Sequence, residues 1–136
     1  VLLFADLDGL KQINDTFGHE EGDTALVQTA VLLKRSFRES DIVARLGGDE
    51  FVVLATETAQ GSVAVMTVRL RRHFEEYNTQ GKHPYQLSLS VGVAIADPLQ
   101  PPSLDELINR ADQHLYDQKR VRKRLSLPGE RTEGEG

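Results

Sequence analysis

Ile42-Val43-Ala44-Arg45-Leu46-Gly47-Gly48-Asp49-Glu50-Phe51-Val52-Val53-Leu54-Ala55 is the stretch that decides the fold. Two short β-rich runs, Ile42 to Leu46 and Phe51 to Ala55, flank Gly47-Gly48-Asp49-Glu50. Paired glycines between such runs signal a hairpin, because the turn needs positive φ. Working outward, Val1 to Leu7 reads as a buried strand. Asp8 to Gly22 is polar and turn-rich, with a helical stretch over Leu10 to Phe17. A longer helix is predicted from Asp23 to Phe37, since Leu26, Ala30, Leu33 and Phe37 share one face. Beyond the hairpin a helix is predicted over Ser62 to Asn78. Tyr85 to Ala96 then alternates, with Leu87, Leu89, Val91, Val93 and Ile95 on one face and Ser88, Ser90, Gly92 and Ala94 on the other. The small second face leaves room for a helix to pack closely. Ser103 caps a final helix with Leu104, Leu107, Ala111 and Leu115 inward. The order β-α-α-β-β-α-β-α predicts an α+β fold: a mostly antiparallel sheet with helices on one face, as in split βαβ folds.

The chain has 136 residues, 39% of them hydrophobic, which fits one domain burying roughly two-thirds of its unfolded surface. Opening directly on a strand leads to the expectation of further chain upstream. Lys and Arg total 16 against 21 Asp and Glu, a formal charge of −5. That balance argues against binding a nucleic-acid polymer, but not against a small phosphate ligand held through a metal. The absence of cysteine excludes disulfide scaffolds, thiolate zinc sites and thiol catalysis. No apolar run approaches the ~18 residues of a membrane span, so no direct membrane contact is expected; the lack of cysteine fits a cytoplasmic location, with a membrane-anchored parent protein left open.

Chemistry is suggested by the acids. Asp6 and Asp8 leave the first strand, and Asp49 and Glu50 stand at the hairpin tip. If those elements are neighbours, the carboxylates converge, repelling by ~1 kcal/mol per pair at 4 Å in water. A hard divalent cation, Mg²⁺ or Mn²⁺, would remove that repulsion. Solvated turn residues are the simpler account of Asp49 and Glu50. An EF-hand loop starting at Asp6 fails, because its fifth and twelfth positions would be Leu10 and Phe17.

Two long motifs identify a resemblance. Gly47-Gly48-Asp49-Glu50-Phe51 follows Arg45-Leu46, and Phe4-Ala5-Asp6-Leu7-Asp8-Gly9-Leu10-Lys11-Gln12-Ile13-Asn14-Asp15-Thr16-Phe17-Gly18-His19 precedes Gly22-Asp23. In this order they resemble the GGDEF domain of diguanylate cyclases, over nearly the whole chain to about Lys123. The resemblance implies a ferredoxin-like, palm-type nucleotidyl cyclase core over residues 1–127, and the Gly/Glu-rich composition of 128–136 reads as a disordered tail. It implies an enzyme joining two GTP into cyclic di-GMP across a homodimer, with Mg²⁺ or Mn²⁺ as cofactor. A regulatory sensory or dimerisation domain is implied upstream. A silent GTP- or cyclic di-GMP-binding receptor is the alternative.

Residue by residue, the resemblance makes Asp6, the Leu7 carbonyl and Asp49 metal ligands. Asp49, Glu50 and Lys11 become catalytic. Asn14 and Asp23 read guanine, and His19, Gly47, Gly48, Lys119 and Lys123 contact substrate. A carboxylate and an amide suit guanine's N1–H, exocyclic amine and remaining edge, whereas adenine would leave them unpaired. Without the motif, Asp23 reads as a helix N-cap and His19 as a loop histidine. Arg38-Glu39-Ser40-Asp41 resembles the family's inhibitory product site at Arg38 and Asp41; its plain alternative is an ion pair at a helix end. The chain departs from the family at Arg122-Lys123-Arg124, where Gly-Arg-Asn is usual. It departs again at His114 and Gln118, where alanine is usual, and at Leu10, where phenylalanine is commoner. The family's preceding helix and turn are not in the sequence.

Overall fold

Leu2–Leu7 forms strand β1, and its alternation divides the apolar core between two faces of a sheet. The computed structural model describes residues 1–55 and 60–125. After β1 come α1 (Leu10–Phe17), α2 (His19–Ser36), β2 (Ile42–Gly47), β3 (Glu50–Leu54), α3 (Gln60–Gln80), β4 (Leu89–Ala94) and α4 (Leu104–Leu125). The sheet order is β2-β3-β1-β4, and every pairing is antiparallel. The α+β fold and the element order expected from the sequence are both observed.

Leu3, Ala5 and Leu7 face one cluster with Ile13 of α1, Leu26 and Leu33 of α2, and Met66, Leu70 and Phe74 of α3. Leu2 and Phe4 face the other, with Ala94 of β4 and Leu107, Ala111 and Leu115 of α4. Helices therefore cover both faces, not the single face expected. The central strand is apolar on both sides, so each side needs a cover. Each large side chain so enclosed contributes about 1.5–3 kcal/mol relative to exposure.

Several boundaries move for local reasons. The helix expected from Asp23 begins at His19, after Gly18, so Asp23 is an exposed helical residue and not an N-cap. Leu104, expected inward, is 54% exposed, while Leu107, Ala111 and Leu115 are buried as expected. Ser103 does cap α4, accepting the Glu106 N–H at 3.2 Å. The last strand is shorter than the alternation suggested, because Asn78 takes over at Leu87. Its amide oxygen accepts the Leu87 N–H at 2.8 Å and its nitrogen donates to the Leu87 carbonyl at 2.9 Å.

Gly92 brings α4 down onto the sheet. A Cβ there would collide with the Ala111 carbonyl and lie 2.5 Å from the Leu115 nitrogen. The expected close approach against the small face of this strand is thus present, and α4 supplies it. At the outer edge of β4 the Val93 N–H donates to His114 Nδ1 at 2.8 Å, and Nε2 of the same ring faces the Gln118 side-chain amide at 3.0 Å. Nδ1 thus serves as the acceptor for the strand, and the other ring nitrogen is held beside a side chain one turn further along α4. The two departures from the family pattern thus act together, fastening α4 to an edge strand.

Candidate active site

The ladder brings the distant acids together. Asp6 on β1 stands opposite Glu50 on β3 and Ser90 on β4. One step on, the Leu7 N–H donates to the Asp49 carbonyl at 2.9 Å and the Asp8 N–H to the Ser88 carbonyl at 2.8 Å. The end of β1 is therefore held from both sides at the hairpin tip. Gly47 and Gly48 turn the chain there with φ of 154° and 45°, values that side chains resist. Arg45 Nε donates to the Gly48 carbonyl at 3.0 Å, bracing the turn that carries Asp49.

Asp6 is 19% exposed and pairs through Oδ2 with Lys119 Nζ of α4 at 2.6 Å. Its other oxygen, Oδ1, is buried with no hydrogen-bond partner in the described structure. Burial lifts the Asp49 carboxyl above the usual carboxylate range; the close approach and charge of Asp6, and the charge of Glu50, lift it further, against a lowering backbone contact. Two crowded carboxylates, one with an idle buried oxygen, are a donor set short of positive charge. Among the described residues no three His, Cys, Asp or Glu side chains are grouped to hold a metal. Two carboxylates joined by the Leu7 backbone carbonyl are still a hard-oxygen set suited to Mg²⁺ or Mn²⁺, so the residues present fit such an ion.

Asp8 is turned to another task. Its oxygens accept from Ser88 Oγ at 2.9 Å and Ser90 Oγ at 2.7 Å, tying β1 to β4. The serines were legible in the sequence only as small residues on one face of a strand.

At the α1–α2 junction Asn14 is folded against Gly22: a Cβ on Gly22 would overlap the Asn14 side-chain amide. Asp23 is the next residue on α2, and it is exposed. Behind them, the Tyr85 hydroxyl lies 3.2 Å from the Glu21 carbonyl and 3.4 Å from its carboxylate, and the ring stacks 5.5 Å from His83 and meets Phe17 at 5.6 Å. Burial, with the Glu21 charge adding, pushes the Tyr85 phenol up to about 12. Lys11 and His19 are exposed on the outer side of the same two helices, and Glu50 is half-buried. Arg38 and Asp41 close a turn between α2 and β2: the Arg38 N–H donates to Asp41 Oδ2 at 2.9 Å and the Asp41 N–H to the Arg38 carbonyl at 3.0 Å. The Lys123 side chain and the tail at 128–136 lie outside the described residues.

An antiparallel α+β sheet with acids gathered where its central strand meets a glycine hairpin, and a helix-borne lysine against Asp6, is the architecture of a palm-type domain. The family model described as "Diguanylate cyclase, GGDEF domain" matches residues 1–124. The chain belongs to this GGDEF family. It is 39% identical over 126 residues to diguanylate cyclase TpbB of Pseudomonas aeruginosa, covering 88% of this chain and 28% of that protein. It is 34% identical over 129 residues to diguanylate cyclase A of Treponema denticola, covering 93% and 34%. Among solved structures, the GGDEF domain of TpbB superposes with a TM-score of 0.71 at 36% identity, covering 88% of this chain and 75% of that one. The GGDEF domain of DgcB from Caulobacter crescentus, solved in complex with c-di-GMP, gives 0.76 at 28% identity, covering 88% and 71%. The chain thus spans about a third or less of the curated relatives' length. Among the described residues no helix is long and apolar enough to cross a membrane.

Proposed function

We propose that this domain is the catalytic part of a diguanylate cyclase, joining two GTP into cyclic di-GMP. The observation that carries the reading is the meeting of Asp6 and Asp49 at the end of β1, with Lys119 against Asp6. Receptor domains that have lost activity would be expected to lose one of these acids or the turn glycines, and this chain keeps Asp6, Gly47, Gly48, Asp49 and Glu50. The two relatives above carry the name diguanylate cyclase, which supports the same reading.

In the reaction, each 3′-oxygen forms a bond to the α-phosphorus of the other GTP. The bond from that phosphorus to the bridging oxygen breaks, pyrophosphate leaves, and the hydroxyl proton passes to a base. Asp6, Asp49 and the Leu7 carbonyl would hold the divalent cation, which when bound neutralises triphosphate charge and acidifies the hydroxyl. Asp49 takes up the 3′-hydroxyl proton, with Glu50 beside it. Lys11 and Lys119, with Lys123 beyond, supply positive charge to the phosphates, and Gly47 and Gly48 let the backbone approach them. Asn14 and Asp23 hold guanine, with His19 a further contact. One domain holds one GTP, so two copies must face each other, a homodimer governed by an upstream domain in the cytoplasm where GTP is supplied. Arg38 and Asp41 would take the product as a feedback site, Arg38 forking onto guanine O6 and N7.

The test is chromatographic detection of cyclic di-GMP from concentrated protein with GTP and Mg²⁺, beside an Asp49→Ala control and an ATP blank. Product lost in the control supports the cyclase. Calorimetric binding of GTP or cyclic di-GMP without turnover, persisting in an artificially dimerised form, would establish a receptor instead.

A further inference from the structure

Lys119 and Asp6 are separated by 113 residues and meet at 2.6 Å. The ammonium is the partly exposed member, with 40% of its side chain open against 19% for the carboxylate. A flexible four-carbon stem can therefore withdraw toward solvent while Asp6 stays fixed in the sheet. The pair is also incomplete: one monovalent cation serves Oδ2, while Oδ1 is buried with no partner in the described structure. A divalent cation can serve both Asp6 and Asp49, which a single ammonium does not.

We propose that Lys119 is a resident counter-ion, holding Asp6 until a divalent cation takes its place and then moving to the triphosphate. This deepens the cyclase reading and rests on it for the identity of the triphosphate. Two consequences follow from charge alone. Without nucleotide, a divalent cation must break the Lys119–Asp6 pair with nothing to receive the freed ammonium, so it binds weakly. With a triphosphate present, the freed Lys119 gains a new anionic partner, so cation and nucleotide strengthen each other's binding, and by linkage they do so equally. The site thereby favours the cation–nucleotide pair over either alone.

Two measurements on the full chain test this. In the first, Mn²⁺ affinity without nucleotide is read by electron paramagnetic resonance for the wild type, Lys119→Met and Arg120→Met. Arg120 lies over the Tyr116 ring at 5.8 Å, so its variant changes net charge by the same amount one residue away. Lys119→Met is expected to tighten Mn²⁺ at least tenfold and Arg120→Met less than twofold. Equal tightening by both, no tightening by Lys119→Met, or no Mn²⁺ binding by any form overturns the exchange. The second uses wild type alone, so it stands even if loss of the ion pair unfolds the variant. Acetylation of Lys119 by an N-hydroxysuccinimide ester, followed by mass spectrometry, is expected to speed at least threefold on adding saturating Mn²⁺. It is expected to slow again when an α,β-methylene GTP analogue is added. Unchanged labelling with Mn²⁺, or no protection by the analogue, refutes the proposal. The cyclase reading fails separately: it falls if the artificially dimerised protein gives no cyclic di-GMP from GTP while these exchange signals stand.

Discussion

Replacing Gly92 by alanine should loosen the helix that carries Lys119. Ordinarily such a change in a strand gains about 0.4–1 kcal/mol by restricting the unfolded chain. Here the new Cβ would meet the Ala111 carbonyl and lie 2.5 Å from the Leu115 nitrogen and 2.8 Å from the Leu115 Cβ. Two of those atoms are backbone and cannot rotate aside. Reaching ordinary contact at 3.4 Å requires α4 to retreat about 0.9 Å at the Leu115 nitrogen and further at the Ala111 carbonyl. Overpacking of this kind costs about 1–3 kcal/mol, which outweighs the entropic gain. The net loss should lower Tm by about 3–10 °C for a domain of this size. Lys119 lies one helical turn beyond Leu115, so such a retreat draws the root of its side chain away from Asp6, which it meets at 2.6 Å. Thermal unfolding by circular dichroism reads the first effect, and the initial rate of cyclic di-GMP formation reads the second, with a drop of roughly tenfold expected. A Gly92→Ala protein with unchanged or raised Tm would refute the close packing of α4 on β4. Lowered Tm with an unchanged rate would refute the link from that packing to Lys119.

Gly22→Ala should leave the fold standing, because the colliding group is the mobile amide of Asn14. Preference for GTP over ATP should fall roughly tenfold or more, and equal kcat/KM ratios in variant and wild type would count against Asn14 as a guanine contact. Asp49→Asn should lower cyclic di-GMP synthesis by about 10³-fold or more with little change in Tm; retained activity would remove Asp49 from the site. His114→Ala leaves the Val93 N–H without its partner and should cost about 0.5–1.5 kcal/mol in urea unfolding, and a variant as stable as wild type would show that this bond contributes nothing. Tyr85 gives a pH prediction. Its folded value of about 12 exceeds the ordinary 10, so the stability it contributes is whole below pH 10 and is lost as pH rises through 12. Absorbance at 295 nm should show a late-ionising phenol alongside that loss, and a phenol titrating wholly near 10 would contradict the burial.

How far the sequence foretold this depends on distance along the chain. The hairpin was legible because turn chemistry is local: Gly47 and Gly48 announce positive φ wherever they stand between β runs. The face of α4 was half legible. Leu107, Ala111 and Leu115 mark one apolar stripe, yet periodicity cannot say which side of the sheet it covers, and helices were expected on one side only. Asp23 shows the reverse error, since a capping residue type sits inside a helix that Gly18 starts earlier. Asp6 and Asp49 were singled out as acids, but their crowding depends on register between β1 and β3. The Lys119–Asp6 pair, the serines holding Asp8 and the Asn78 amide at Leu87 had no local signal, because each joins segments that no repeat relates. The departures at His114 and Gln118 gained a physical reason only when both reached the edge of β4.

The span between Asp6 and Lys119 also bears on biosynthesis. Chain is made from the N-terminus, and β1 with both its acids leaves the ribosome long before α4 exists. Until the last helix docks, the Leu2 and Phe4 side of the sheet lacks its cover and Asp6 lacks its cation. A nascent chain of this family can hold the signature hairpin and still have no finished pocket. Competence arrives with the final helix, so a message truncated in that region yields a protein carrying the full motif but not the assembled centre.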